Sequence, residues 1–260
     1  MKKAQSVGLI GTGSLTDAPL TRFWHLPERL GPVKSASYRV ASRIANMLRA
    51  GHPVKDYAEF EECDLILVCV PDRTTSQVVS EMVSAGISWR YKSVVLCSTW
   101  LDSSELEPLA ALGASVGSIS AVPGFDDERY VVEGDPLAIR RSKSLVEYRE
   151  RRALSIQRPL KPFYLAALTC TGSVLVALLH VASESLHYAE IPSGLSATLL
   201  ERQLARTLRS FLKGGRRAYD EPREISKQLR ALDGVNPALS HFLEQSCRLS
   251  SRLLLKTLTV

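Results

Sequence analysis

The sequence predicts an α/β protein, with a doubly wound parallel sheet of the Rossmann type followed by a smaller all-helical domain. Three observations predict this fold. Short apolar segments alternate with segments of helical periodicity over the first half of the chain. A pair of glycines, Gly11 and Gly13, follows the first apolar segment. Beyond Pro159 and Pro162, only helical patterns remain.

The predicted strands are short and continuously apolar, as expected for parallel strands that are covered on both faces. They span residues 6–10, 33–38, 64–71, 93–97, 114–119 and 154–157. The predicted helices between them span residues 41–50, 74–84, 101–112 and 136–152. This alternation predicts right-handed βαβ units, and therefore helices on both faces of a parallel sheet.

The second half of the chain predicts four helices. They span residues 164–189, 194–212, 223–232 and 237–258. Apolar residues recur at helical spacing along the second of them, namely at Leu195, Leu199, Leu204, Leu208 and Phe211. We therefore divide the chain into a Rossmann-type dinucleotide-binding domain, residues 1–158, and a helical domain for dimerisation and substrate binding, residues 159–260.

Composition narrows the class of protein. The chain has 260 residues, of which 45% are hydrophobic and 23% charged, so it is neither disordered nor fibrous. Its five cysteines show no CxxC spacing, which predicts free, reduced thiols and no metal site. The N-terminus leads directly into a strand and not into a signal peptide. These features predict a cytoplasmic protein.

Two features of the sequence raise the question of a membrane or a nucleic-acid partner: a long apolar segment and an uneven distribution of charge. Residues 163–182 are apolar over the length of a membrane span, but they include Thr169, Thr171 and His180, which favours a central helix of a soluble domain. Residues 1–139 carry 13 basic and 17 acidic residues, whereas residues 140–260 carry 20 and 10. The basic excess lacks interleaved aromatic residues, so we expect a solvated surface and no nucleic-acid partner, although a basic rim that attracts a phosphorylated cofactor is also compatible.

The glycine turn predicts contacts with a pyrophosphate. Gly11 permits the tight turn, and Gly13 lets backbone amides approach the phosphates at a helix N-terminus. Thr12, Ser14 and Leu15 complete the predicted contact segment. Thr16 occupies the position that is usually glycine or alanine, and prolines at positions 19 and 27 predict a first helix that is late, short or kinked.

The residues at the end of the second predicted strand indicate whether NAD or NADP binds. Proteins that bind NAD place an acidic residue there for the ribose hydroxyls, whereas this chain has Ser37 and Arg39, with Arg43 nearby. A guanidinium suits a 2′-phosphate through charge-assisted hydrogen bonds, which favours NADP. The alternative is that both arginines are only solvated surface charges.

Other candidate residues follow the ends of the later strands, because ligands of open α/β sheets lie outside the carboxyl ends of the strands. The candidates after two of the strands are Val70, Pro71, Asp72, Ser98 and Thr99. A further candidate, Ser120, follows the next strand. Each of these could instead be a structural loop residue.

Four segments of the chain are similar to a family of NADP-dependent oxidoreductases that pair a Rossmann-like domain with a helical domain of unassigned function. More distant relatives of this architecture are 6-phosphogluconate dehydrogenases and pyrroline-5-carboxylate reductases. The segments that carry the resemblance are residues 7–13, 64–72, 113–135 and 161–191. The clearest motifs are Val132-Glu133-Gly134-Asp135 and Lys161-Pro162-Phe163-Tyr164. The resemblance implies the fold, NADP binding and hydride transfer.

Several polar residues of that family are replaced in this chain. The family's histidine after the last strand corresponds to Ser120, and the histidine that follows the helix tyrosine corresponds to Leu165. An asparagine further along the helix corresponds to Ser173. Ser120 and Tyr164 are therefore the two candidate catalytic residues. Packing of Tyr164 in a helical core is the alternative.

Three functions remain open at this point. The first is an oxidoreductase that transfers hydride between NADPH and a small carbonyl or imine substrate in an interdomain cleft. The second is a non-catalytic dinucleotide-binding or sensor protein, and the third is a scaffold that binds no cofactor. The apolar helix at residues 164–189 also predicts a homodimer through the helical domain, because few helices are available to cover it.

Overall fold

The structure, a computed structural model, describes residues 6–11, 26–124, 129–147 and 152–255. The chain divides into two compact units, of which the first ends at Ala166 and the second begins at Ala167. The first unit contains the sheet, and the second contains only helices among its described residues.

One eight-stranded sheet forms the centre of the first unit. Its strands lie in the order β3-β2-β1-β4-β5-β6-β7-β8. Strands β1 to β6 are parallel and have the 3-2-1-4-5-6 order of dinucleotide-binding folds. Their bounds and those of the last two strands are Val7–Gly11, Leu30–Lys34, His52–Pro53, Leu65–Cys69, Ser93–Leu96, Ser115–Ala121, Arg129–Gly134 and Arg152–Ser155.

The predicted α/β fold is confirmed, with two changes to the sheet. Strand β7 was not predicted, and it runs antiparallel to β6, so the expectation of a wholly parallel sheet was wrong at this edge. Strand β8 then pairs in parallel with β7. The two-residue strand β3 was also not predicted.

Helices cover both faces of the sheet. They are α1 (Leu26–Arg29), α2 (Tyr38–Leu48), α3 (Thr75–Val83), α4 (Glu107–Ala110) and α5 (Pro136–Val146). Helices α2 and α5 contribute to one buried apolar cluster, and α3 and α4 contribute to the other. Helix α1, with four residues, is the first helix of the described part of the chain. The segment in which the sequence predicts a late, short or kinked helix, residues 12–25, lies outside the described residues.

Strand β2 ends earlier than predicted. It spans Leu30–Lys34, whereas the sequence predicted residues 33–38. The register of β2 against β1 shifts between Val7 and Leu9, and this irregularity accommodates Gly31 and Pro32 within the strand. After the strand, the Ser37 side chain accepts a hydrogen bond from the Val40 amide and caps α2. Residues 38 and 39 therefore begin a helix and do not end a strand.

A glycine at the end of β7 permits the close approach of β6. Gly134 has a φ of +121°, which side chains rarely adopt. A Cβ atom built there would lie 2.3 Å from the Val116 carbonyl oxygen and 2.4 Å from the Gly117 Cα atom. The glycine in the Val132–Asp135 motif therefore has a structural reason that is independent of any ligand.

The helical elements that follow the sheet agree closely with the prediction. Helix α6 (Lys161–Thr169) begins in the first unit, and a π-helical segment, Cys170–Val174, joins it to α7 (Leu175–Tyr188). The second unit continues with α8 (Ser193–Gly214), α9 (Ile225–Asp233) and α10 (Pro237–Leu255). The predicted helix at residues 164–189 therefore begins three residues earlier and contains a π segment.

Many apolar side chains of the second unit are exposed. The predicted stripe on α8 is not a buried face, since Leu195, Leu208 and Phe211 are each more than half exposed. The helix Arg158–Tyr188 has a mean hydropathy of 2.0 over an 18-residue window, of which 6% is buried. By length and composition this helix could cross a membrane, and the core helix of a soluble protein passes the same test. The expected burial of this helix at the centre of a domain is therefore not observed within one chain.

Candidate functional site

The parallel strands of the first unit bring their carboxyl ends to one edge of the sheet. Strand β1 lies between β2 and β4, and its last residue is Gly11. The chain order reverses at this position, which is where open α/β sheets bind ligands. The other residues of the predicted glycine turn, Thr12, Gly13, Ser14 and Leu15, lie outside the described residues.

A pocket of about 290 Å³ opens at this edge of the first unit. It lies between the segments that follow β2 and β4, beside the end of β1. Of the predicted residues, Gly11 and Val70 line it. Its other lining residues are Ile10, Lys34, Ser35, Ala36, Tyr57, Thr74, Gln77, Val78 and Glu81.

The turn between β2 and α2 borders this pocket. The Ser35 side chain is buried, and its hydroxyl has no hydrogen-bond partner among the described residues. The backbone amides of the first turn of α2 have no carbonyl partner within the helix, and they suit an anion. Arg39 is exposed in that turn. The structure therefore moves Ser37 and Arg39 from a strand end to the start of α2, and neither residue lines the pocket.

The segments after β4 and β5 are joined by hydrogen bonds. The Ser98 hydroxyl donates to Asp72 Oδ1 at 2.8 Å. The same hydroxyl oxygen accepts from the amides of Trp100 and Leu101 at 3.1 and 3.0 Å. Ser98 is buried, whereas Asp72 is exposed. The structure thus brings together two predicted residues and gives them a role in fixing the loop after β5.

The remaining predicted residues of this edge have separate surroundings. The Pro71 carbonyl accepts a hydrogen bond from the Thr74 hydroxyl at 2.8 Å, which closes the turn before α3. Thr99 is half-buried beside Ser98.

A buried polar cluster, which the sequence analysis did not predict, lies between β6, β7 and the start of α6. We call Ser103, Ser118, Glu133 and Lys161 the Glu133 cluster. The Glu133 carboxylate accepts hydrogen bonds from the Ser118 hydroxyl at 2.6 Å and from the Ser103 amide and hydroxyl at 2.7 Å each. The Lys161 ammonium donates to the Ser118 hydroxyl and the Leu101 carbonyl at 2.5 Å. All four side chains are buried.

Two positively charged side chains lie near the Glu133 carboxylate: Lys161, which belongs to the Glu133 cluster, and Arg158, which lies beside it. Lys161 Nζ lies 3.8 Å from Glu133 Oε1, and Arg158 Nε lies 4.0 Å from Glu133 Oε2. Burial lowers the pKa of the Lys161 ammonium, while nearby Glu133, Asp102 and Asp72 act in the opposite direction. The motifs that contain Glu133 and Lys161 were recognised by resemblance, but neither residue was selected as a site residue.

The two candidate catalytic hydroxyls lie next to the Glu133 cluster along the chain. Ser120 is two residues beyond Ser118 on β6, so both side chains lie on the same face of the sheet. Tyr164 is one helical turn beyond Lys161 on α6. The hydroxyl groups of Ser120 and Tyr164 are buried and have no hydrogen-bond partner among the described residues. Burial raises the pKa of the Tyr164 phenol.

Comparisons with other proteins identify the fold. Neither protein-family models nor curated protein sequences match the chain. Among solved structures, the protein TM1727 from Thermotoga maritima has a TM-score of 0.63 at 18% identity, over 95% of this chain and 98% of that chain. The expected architecture is therefore confirmed over nearly the whole chain.

Two further structures contain a cofactor. An imine reductase from Myxococcus stipitatus in complex with NADP+ has a TM-score of 0.66 at 14% identity, over 95% of this chain and 94% of that chain. A reductive aminase from Aspergillus terreus in complex with NADPH and ethyl levulinate has a TM-score of 0.63 at 14% identity, over 96% and 94% of the two chains. At these identities the comparison establishes a shared fold.

Proposed function

We propose that this protein is an NADP-dependent oxidoreductase that reduces a carbon–oxygen or carbon–nitrogen double bond of a small molecule. The observation that carries the proposal is the pocket at the carboxyl end of β1, bordered by a helix N-terminus and an unpartnered buried serine hydroxyl. The fold shared with NADP-bound reductases supports the same cofactor.

The residues around the turn between β2 and α2 fit the 2′-phosphate of NADP. The Ser35 hydroxyl is available to donate. The Ser37 cap takes up the Val40 amide, and the amides of Tyr38 and Arg39 remain to donate at the positive end of the helix dipole. Arg39 and Lys34 supply positive charge on either side of this turn. The oxygens of a phosphate accept hydrogen bonds from hydroxyls, amides and cations alike, whereas a ribose hydroxyl carries no negative charge to match Arg39 and Lys34.

The remaining contacts of the cofactor are assigned from the fold. The backbone of Gly11 and of the turn Thr12, Gly13, Ser14 and Leu15 would hold the pyrophosphate. Val70 lines the pocket, and the Asp72–Ser98 hydrogen bond fixes the loop at the neighbouring strand end. Pro71 and Thr99 would form the adjacent backbone wall of the site.

Ser120 and Tyr164 are the residues that would orient the substrate. The bound cofactor supplies the hydride, so the chain has to provide hydrogen bonds and, at most, one proton. A substrate oxygen or nitrogen would satisfy the two buried hydroxyls, which have no partner among the described residues. Because burial raises the pKa of Tyr164, its hydroxyl stays protonated at neutral pH and acts as a hydrogen-bond donor.

The second unit would form a homodimer. Six leucine and phenylalanine side chains on α8 and α10 are more than half exposed, namely Leu195, Leu208, Phe211, Leu212, Leu249 and Leu253. Exposed apolar side chains at this density mark an interaction surface. A second copy of the chain carries the same surface and can cover it in a self-complementary contact about a two-fold axis.

A reducing compartment suits the cysteines. All five cysteines are free in the structure, and Cys63 and Cys69 are buried as small apolar side chains. Free cysteines persist in the cytoplasm, which is the location we propose. We propose no membrane partner, because a dimer accounts for the exposed apolar surface. We also propose no nucleic-acid partner, because the basic residues lack interleaved aromatic residues.

Turnover with a substrate panel tests the proposed activity. Loss of NADPH absorbance would be followed with cyclic imines, with keto esters, and with keto esters plus an amine. We expect at least one class to be reduced, and the Tyr164→Phe variant to lose most of that rate while it still binds NADPH. The control is Tyr91→Phe, which makes the same change at an exposed tyrosine. Binding of NADPH without turnover of any class would instead support a non-catalytic dinucleotide-binding protein.

A further inference from the structure

A carboxylate in the pocket has no role in the phosphate contacts proposed above. Glu81 on α3 lines the pocket that borders β2 and β4. Its Oε2 accepts a hydrogen bond from the Tyr57 hydroxyl at 3.0 Å, and its Oε1 accepts one from Gln77 Nε2 at 3.2 Å. These two donors orient the carboxylate. Each carboxylate oxygen has two lone pairs, so it can accept another hydrogen bond.

Glu81 lines the pocket in which a fold of this type places the base of a dinucleotide. In a sheet of this order, the pyrophosphate lies at the end of β1 and the ribose at the end of β2. The base is attached to that ribose, so it lies beside the end of β2, where the pocket is. Apolar walls from Ile10, Val70 and Val78 suit the faces of a purine ring.

We infer that Glu81 recognises the base of the cofactor by accepting a hydrogen bond from its exocyclic amino group. This inference rests on the proposed function. Adenine presents an amino group at its 6-position, whereas hypoxanthine presents a carbonyl oxygen there. Because a carboxylate can only accept hydrogen bonds, it pairs with the amino group and repels the carbonyl. Glu81 is therefore a specificity-determining residue for an adenine dinucleotide.

Tyr57 donates its hydrogen bond to Glu81 as a neutral phenol. Burial, followed by the hydrogen bond to Glu81 and the charge of Glu81, raises the pKa of the Tyr57 phenol. The hydroxyl therefore remains protonated at neutral pH and donates to Glu81. Lys34 Nζ lies 4.5 Å from the centroid of the Tyr57 ring, a cation–π contact that holds the ring on the side of β2.

A comparison of two cofactors tests this inference. The full-length protein would be titrated with NADPH and with reduced nicotinamide hypoxanthine dinucleotide phosphate, with nicotinamide fluorescence as the readout. For the wild type we expect tighter binding of NADPH by about tenfold or more, the range for a hydrogen bond to a charged group. Glu81→Gln should reduce this preference to within about threefold, because an amide can donate to the 6-oxo group.

Glu59→Gln is the matched control, since it makes the same change at an exposed residue that does not line the pocket. This variant should keep the wild-type preference. Equal affinity of the wild type for both cofactors, or an unchanged preference in Glu81→Gln, would overturn the inference while leaving NADP binding intact. Failure of the wild type to bind either cofactor would instead contradict the proposed function, and with it the inference.

Discussion

Lys161 and Glu133 form a buried ion pair, with 3.8 Å between Nζ and Oε1, at the junction of the sheet and the long helix. Lys161 is the first residue of α6, and Glu133 is the penultimate residue of β7. Ser118 joins them through its hydroxyl, which donates to Glu133 and accepts from Lys161. The pair therefore fixes the start of α6 against β6 and β7, the antiparallel pair of strands in the sheet.

Removal of one partner of this pair should destabilise the first unit. Lys161→Met leaves the buried Glu133 charge without its ammonium partner, so we expect the free energy of unfolding to fall by about 3–5 kcal/mol. The double variant Lys161→Met/Glu133→Gln should recover part of this loss, because no buried charge is left unpaired. Urea denaturation followed by circular dichroism measures both values. A loss below about 1 kcal/mol in the single variant would show that the pair is not a structural element.

Gly134 should tolerate no side chain. Gly134→Ala places a Cβ atom 2.3 Å from the Val116 carbonyl oxygen at a φ of +121°, so we expect a loss of at least about 2 kcal/mol of stability. Gly86→Ala is the control, since Gly86 also has a positive φ, of +69°, but no atom within 4 Å of the built Cβ. Thermal unfolding of the two variants separates backbone strain from steric overlap. Equal losses in both would contradict the overlap between β6 and β7.

The charge at Arg39 should determine the choice between NADPH and NADH. Arg39→Asp removes the guanidinium and places a carboxylate near the ribose, so we expect NADPH binding to weaken by about 1–3 kcal/mol. NADH binding should be unchanged or stronger. Arg90→Asp makes the same change at an exposed residue before β5, at the opposite edge of the sheet, and should alter neither affinity. Parallel fluorescence titrations give the ratio of the NADPH affinity to the NADH affinity. If this ratio is unchanged in Arg39→Asp, the 2′-phosphate binds elsewhere.

The exposed surface of α8 should hold two copies of the chain together. Light scattering at micromolar concentration should give about twice the chain mass of 28.6 kDa. The double variant Leu208→Lys/Phe211→Lys should give a monomer, because two charges cannot be buried against an apolar surface. Gln203→Lys/Ser210→Lys, which adds the same charge at exposed polar positions of α8, should remain dimeric. A wild-type mass near 28.6 kDa would contradict the dimer.

The local pattern of the sequence predicted the fold because most elements are independently encoded. The six predicted strands are all present, and the helices after Pro162 agree to within a few residues. Strand β7 was missed because Tyr130, Val131 and Val132 form only a short β-branched and aromatic run between two turns. The end of β2 was misplaced because the capping role of Ser37 was not recognised. Recognition of Ser37 as an N-cap would have corrected it.

The candidate site was only partly predictable from sequence, because its parts meet through topology. Gly11 and Val70 could be selected from strand ends, and the structure places both in one pocket. Tyr57 and Glu81 carry no motif and lie 24 residues apart, so only the fold brings the two side chains together. Lys161 and Glu133 stand in motifs that the resemblance identified, but sequence alone does not show that they form a pair.

Binding of NADPH by the purified wild-type protein decides whether this chain is an NADP-dependent protein. The nicotinamide fluorescence of NADPH would be titrated with protein, alongside an identical titration with NADH. We expect saturable binding of one NADPH per chain, at least about tenfold tighter than binding of NADH, because the proposed 2′-phosphate site combines a helix N-terminus with cationic side chains. Absence of NADPH binding, or equal affinity for the two cofactors, would contradict the proposed NADP dependence.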